Sequence, residues 1–183
     1  MPPKSDPKTE RRILSAAVSL WRTKGERGLT LRAVAREART STPTVYRRFR
    51  NKQAILLALA SEFRQQLIQE CLRSATLEDA CRRCVEFAEQ HPNEYRLIWD
   101  SWNDVFVPDA PRPVRAWALA QLAQRFGGKP EDYLLSFFGV VFLAHGAAML
   151  LTSPCDGVAR EVVRSKFPLV ADALIRNAHL FQG

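Results

Sequence analysis

Nineteen consecutive residues, Tyr133 to Leu151 (YLLSFFGVVFLAHGAAMLL), carry no formal charge. A segment of that length has to leave water, either by crossing a bilayer or by lying at the centre of a helical assembly. It is an isolated segment, it contains Ser136, two glycines and His145, and the rest of the chain is patterned as amphipathic helices, so the membrane alternative is set aside. The centre of a helical dimer is the place that remains. One side of the segment, with Leu134, Phe138, Phe142, His145 and Met149, would face a pocket. The side with Val140, Ala144, Ala147 and Ala148 is small enough for a partner helix to approach closely.

The remaining composition agrees with a folded, water-soluble chain: 183 residues, 46% hydrophobic and 25% charged, are enough for one sizeable core or two small ones. Four cysteines without a signal peptide do not make a disulfide framework at this length, and the expected compartment is the reducing cytoplasm. Cys81 and Cys84 form a CxxC, but no second CxxC or HxxxH follows. They read as a helical pair in a core rather than as a zinc or redox site.

Charge is spread unevenly. Residues 1 to 60 hold 14 Lys/Arg against 4 Asp/Glu, so the whole basic excess behind the net charge of +8 lies in the first third. Such asymmetry is the footprint of a polyanion-binding region. Within it, Leu29 to Phe49 reads as two short helices with a tight corner. In the first, Leu31, Val34, Ala35 and Ala38 share a face and leave Arg32 and Arg36 opposite. In the second, Val45 and Phe49 mark the buried side; Pro43, Thr44 and Arg47 point away from it, flanked by Tyr46 and Arg48. Thr30, Ser41 and Asn51 are placed to cap three successive helices, and Pro43 suits a first turn. Three helix starts in about twenty residues supply phosphate-holding amides.

The run from Arg11 to Phe63 resembles the DNA-binding domain of the TetR family of bacterial repressors. The resemblance rests on Ile13, Ala16, Ala17 and Leu20, on Gly25 and Thr30, on Ala35 and Ala38, and on Ser41, Thr44, Tyr46, Phe49, Lys52, Ala54 and Leu56. At the corner this chain has Arg39 where the family usually has glycine, and Thr40 where it has an apolar residue. A positive φ at Arg39 would be strained. The resemblance implies an all-α protein. A three-helix helix-turn-helix domain, residues 1–51, would be followed by a larger helical effector-binding and dimerisation domain, residues 52–183. The partners implied are a second copy and double-stranded DNA at a palindromic site. Pro43, Thr44 and Arg47 would approach base edges, while Thr30, Ser41, Tyr46, Arg48 and Lys52 would hold phosphates, with Arg32 and Thr42 completing the surface.

Along the rest of the chain, Met1 to Ser5 reads as a disordered arm, and the first helix opens at Pro7 and runs to about Lys24, before the loop GERG. Trp21 reads as core. A long helix from Lys52 to about Arg73 resembles the family's connecting helix, and Thr76 with Asp79 marks the start of another, ending near His91. From Pro92 to Val107, Tyr95, Trp99, Trp102 and Phe106 form one aromatic stripe, with Asn103 at its edge. It reads equally as core or as the wall of a ligand pocket. Proline-rich PDAPRP links to a helix carrying Trp117 and ending at Gly127 and Gly128. A final helix from about Val158 to Phe181 would be kinked or interrupted at Pro168.

If an effector exists, the residues that would meet it are Trp99, Trp102, Asn103, Phe106, Trp117, Phe138, Phe142, His145 and Met149. Few of these ionise, so a hydrophobic small molecule is the expected effector, releasing a repressor from its operator. His145 among apolar neighbours reads more readily as a satisfied core histidine than as a ligand contact. No cofactor or metal is expected: the three histidines are far apart and no Gly-rich phosphate loop, GxSxG or HExxH is present. An effector-independent regulator, and an enzyme or ligand carrier with a vestigial DNA-binding head, stand as alternatives.

Overall fold

The protein is described by a computed structural model covering residues 7–101, 112–154 and 156–182. Nine α-helices follow one another among these residues: α1 (Pro7–Gly28), α2 (Leu31–Glu37), α3 (Thr42–Arg48), α4 (Lys52–Leu72), α5 (Leu77–Gln90), α6 (Pro92–Asp100), α7 (Pro113–Phe126), α8 (Leu134–Thr152) and α9 (Gly157–Arg176). Short 3-10 turns, Pro130–Tyr133 and Ala178–Phe181, precede α8 and follow α9, and the described residues contain no strand. The fold is therefore all-α. The terminal arm, Trp102, Asn103, Phe106, the end of the helix expected to reach Val107, the start of the proline linker and Cys155 lie outside the described residues.

The chain divides into two compact units, residues 1–63 with 97–106, and residues 64–96 with 107–183. The first is built by α1, α2, α3 and the start of α4. Ile13, Ala16, Ala17, Leu20 and Trp21 from α1 are buried together with Leu29, with Val34, Ala35 and Ala38, with Val45 and Phe49, and with Ile55, Leu59, Ala60 and Phe63. Burial of each large side chain contributes about 1.5–3 kcal/mol, which is what lets helices of seven residues persist. At Gly25 the backbone of α1 leaves the helix with φ 61°, so the element is two helical pieces across a kink, and the break falls at the start of the expected GERG loop.

In the second unit α8 packs on α5 and α9, and α9 also packs on α5. Ala144, Ala147 and Leu151 of α8 are buried with Cys81 and Val85 of α5, Leu119 and Leu122 of α7, Tyr133, and Phe167, Ala171 and Ile175 of α9, and Ala148 is fully buried as well. Here the structure corrects the sequence reading. The small side of α8, assigned to a partner helix, is filled from within the chain. The large residues face out: Leu135 is 65% exposed, Phe138 40% and Phe142 69%. The reason is steric, since alanines allow α5 and α9 to approach closely, whereas rings on that side would hold them apart. A helix apolar on every side gives no periodic signal for choosing between its faces.

α9 is likewise continuous through Pro168. The missing N–H removes one ladder bond, but Phe167, Ala171 and Ile175 anchor the helix on both sides of the proline. The Thr76 cap forms where the sequence places it, Oγ1 accepting from the Asp79 N–H at 3.1 Å, and Asp156, not singled out in the sequence, caps α9 by accepting from the Ala159 N–H at 2.6 Å. The Asp79 carboxylate turns to Arg83 and Arg82.

Candidate nucleic-acid interface

The corner between α2 and α3 is closed by two backbone bonds. The Thr40 N–H donates to the Ala35 carbonyl at 2.9 Å and the Arg39 N–H to that of Arg36 at 3.1 Å. These two bonds define a Schellman motif, which needs a left-handed residue between helix and exit. Arg39 supplies it at φ 48°, the sole non-glycine with positive φ among the described residues. Glycine would adopt this conformation without strain; arginine adopts it because two hydrogen bonds and the buried Ala38 fix the turn.

Past the corner, the sequence dictates which face of α3 is presented. Val45 is fully buried and Phe49 nearly so, and with that side anchored Pro43, Tyr46, Arg47 and Arg48 are all exposed, with Thr42 and Thr44 half-buried. Ser41 Oγ accepts from the Thr44 N–H at 3.3 Å and lies 2.8 Å from Thr44 Oγ1. Arg47 Nη2 donates to the same Thr44 hydroxyl at 3.3 Å. The cap, Thr44 and Arg47 are thereby linked along one edge of the helix. Arginine in such a position offers a planar fork suited to guanine O6 and N7.

The other residues expected at this surface surround α3. Thr30 is exposed and caps α2, accepting from the Ala33 N–H at 3.1 Å, and its own O–H remains able to donate. Arg32 is exposed on α2. Asn51 Oδ1 caps α4 by accepting from the Ala54 N–H at 2.9 Å. Lys52, in the first turn of α4, and Arg48, in the last turn of α3, are both ion-paired: Lys52 Nζ is 3.1 Å from Glu26 Oε1, and Arg48 is paired with Glu10. Neither glutamate was singled out in the sequence, because partners 26 and 38 positions away leave no local pattern.

The residues proposed to meet an effector are more dispersed. Trp99 lies on α6 and is half-buried, as is Trp117 on α7. On α8, Phe138 and Phe142 stack at 6.0 Å between ring centroids on the exposed side, while His145 and Met149 are half-buried. His145 Nδ1 shares a 3.1 Å hydrogen bond with the hydroxyl of fully buried Tyr95, and burial holds its imidazole below the usual histidine pKa. A cavity of about 20 Å³ in the second unit is lined by Leu77, Ala118, Leu122, Ser136, Phe137, Val140, Ile175 and Ala178. It has room for about one water, and none of the proposed effector residues that are described lines it. Burial pushes the Cys81 thiol up to about 12, an inert thiol at neutral pH. Among the described residues no three of His, Cys, Asp and Glu lie close enough together to hold a metal ion.

Residues 13–59 match the family model described as bacterial regulatory proteins, tetR family. An uncharacterized HTH-type transcriptional regulator of Bacillus subtilis is 43% identical over 54 residues, a stretch covering 30% of this chain and 29% of that protein. The fold of the chain is also that of solved structures. TetR from Acinetobacter baumannii AYE superposes with a TM-score of 0.70 over 98% of this chain and 100% of its own, at 18% identity. A variant of that protein in complex with minocycline gives 0.69 over 98% and 100%, at 20%. A Rhodococcus protein of unknown function gives 0.62 over 97% and 98%, at 23%. At these identities the structural likeness establishes the fold, and the sequence match is confined to the helices that build the corner. Over residues 13–59, this chain is similar to the bacterial regulatory proteins of the tetR family.

Proposed function

We propose that the protein is a DNA-binding transcriptional regulator of the cytoplasm, acting as a homodimer on a palindromic operator. Residues 1–51 read the DNA, and residues 52–183 pair the two copies and take the effector. The observation that carries this reading is the outward face of α3, where Arg47, Tyr46 and Pro43 stand exposed on a helix whose opposite side is locked into a core. α3 enters the major groove. Arg47, Thr44 and Pro43 approach base edges, and Thr30, Arg32, Ser41, Thr42, Tyr46, Arg48 and Lys52 address the backbone.

Dimerisation is supported by the apolar surface of the second unit. Leu135, Phe138 and Phe142, at spacings of three and four, make one exposed stripe on α8; Val158, Val162 and Leu169 make another on α9. Large exposed patches of this kind mark association surfaces. α8 is long and apolar enough to cross a membrane by length and composition. A second copy covering the stripe, while the alanine side stays in the core, accounts for that composition without a bilayer. Phe138 and Phe142 therefore belong to the contact between copies, and Trp117, His145 and Met149 remain with a hydrophobic effector. The minocycline complex of a structurally similar protein supports a small-molecule effector. Such a compound releases DNA only if it binds better to the form whose reading heads are wrongly spaced, with α4, continuous from Lys52 to Leu72, carrying the change. This reading assigns the chain no catalytic role.

Selection of bound sequences from random duplex DNA tests the proposal. Enriched inverted repeats are expected, and no enrichment at low ionic strength would overturn it. Replacing Arg47 by alanine should cost about 1–3 kcal/mol on the selected site and relax the preference at one base position. An equal loss on every sequence would remove Arg47 from base reading.

A further inference from the structure

The two cations that flank α3, Arg48 at its end and Lys52 just beyond it, are both held by carboxylates of α1. Lys52 Nζ makes two contacts with one residue: 3.1 Å to the Glu26 carboxylate and 3.0 Å to the Glu26 backbone carbonyl. An ammonium has three protons, so the carbonyl can hold Lys52 in place while the carboxylate is exchanged for another anion. Both pairs are on the surface, with side-chain exposures of 41% and 62% for Lys52 and Glu26, and 38% and 37% for Arg48 and Glu10. Pairs this exposed are weak enough for a polyanion to displace.

We propose that Glu26 and Glu10 are built-in competitors for DNA phosphate, lowering affinity for every duplex alike and so keeping the protein off non-specific DNA. This rests on the DNA-reading role proposed above. When a duplex docks, phosphate oxygens replace the carboxylates on Lys52 and Arg48. Each freed carboxylate then lies beside the DNA backbone and recruits a cation from solution. That uptake offsets the counterion that the new phosphate contact releases, so each pair flattens the salt dependence of binding. The discrimination made through α3 is untouched, because the exchange involves no base.

The test is binding of the full chain to its selected duplex and to a random duplex of equal length, across a salt series. Glu26→Gln keeps the backbone carbonyl and removes only the charge. It should tighten binding to both duplexes by up to about fivefold, and steepen the slope of log affinity against log salt by up to about 0.9. The ratio between the two duplexes should not change. In a Lys52→Gln background the gain should vanish. Glu10→Gln should behave the same way through Arg48, and it decides the matter if Glu26→Gln melts below the wild type. A Glu26→Gln protein that melts like the wild type but binds both duplexes no more tightly, or a gain that survives loss of Lys52, would overturn the exchange. Wild-type protein that binds neither duplex would instead sink the DNA-reading role, and the exchange with it.

Discussion

α3 and α8 are both helices with one side in a core, and they solve opposite problems with their other side. α3 has seven residues, and past its single buried valine it presents arginine, tyrosine and proline, so what faces water is chemically distinct from what is buried. α8 has nineteen residues and is apolar on both sides, with small residues inward and phenylalanines outward. Sorting by polarity produces a surface suited to a charged ligand. Sorting by size leaves an apolar surface suited to a second apolar one.

The largest effect should come from breaking the outward side of α8. Phe138→Glu with Phe142→Glu should weaken self-association at least ~100-fold, about 3 kcal/mol, by removing two central aromatic contacts and burying charge. Sedimentation velocity measures it, and retained helicity would show that the fold does not depend on those rings. Unchanged association would leave the stripe unexplained. The inward side should respond in the reverse sense: Ala148→Leu, at a position with no exposure, should lower stability by about 1–3 kcal/mol on chemical unfolding through overpacking against neighbouring helices.

How far these two helices could be read from the sequence follows the same distinction. The exposed face of α3 was legible because charge and capping chemistry mark it residue by residue: Ser41, Pro43, Val45, Arg47 and Phe49 each take the place their chemistry assigns. The nineteen-residue run was legible as a helix, but the side that would be buried within the chain was not, because a polar/apolar pattern carries no information where nearly every residue is apolar. The continuity of α9 through Pro168 was illegible for a related reason, since it depends on Phe167 and Ile175 finding a core already formed. The pairs of Glu26 and Glu10 with α4 and α3 were not readable either, being products of tertiary placement.

Smaller effects sharpen the contrast. Arg39→Gly should stabilise the first unit by about 0.5–1 kcal/mol, the relief of left-handed backbone exceeding glycine's entropic cost. Thermal melting measures it, and a loss of stability would mean that the Arg39 side chain contributes more than its backbone costs. The smallest effect concerns His145. Burial holds its folded pKa below the unfolded value near 6.5, so the neutral form is favoured by folding. Its contribution is intact above that unfolded value and is lost as pH falls through the depressed folded one. Unfolding midpoints followed into mild acid should decline, and His145→Gln should flatten the decline; parallel curves would assign it to other groups.

The last turn of the chain is tied in more firmly than its position suggests. Ser136 Oγ donates to the Ala178 carbonyl at 3.0 Å in a buried site, Gln182 bonds the Tyr133 hydroxyl, and Tyr133 donates to the Gly127 carbonyl at 2.7 Å. Proteolytic trimming after Asn177 would therefore strand a serine hydroxyl in apolar surroundings and open the floor beneath α8. The clipped protein should lose cooperativity in the second unit, while the first unit, built mainly from the opposite end of the chain, keeps its own core.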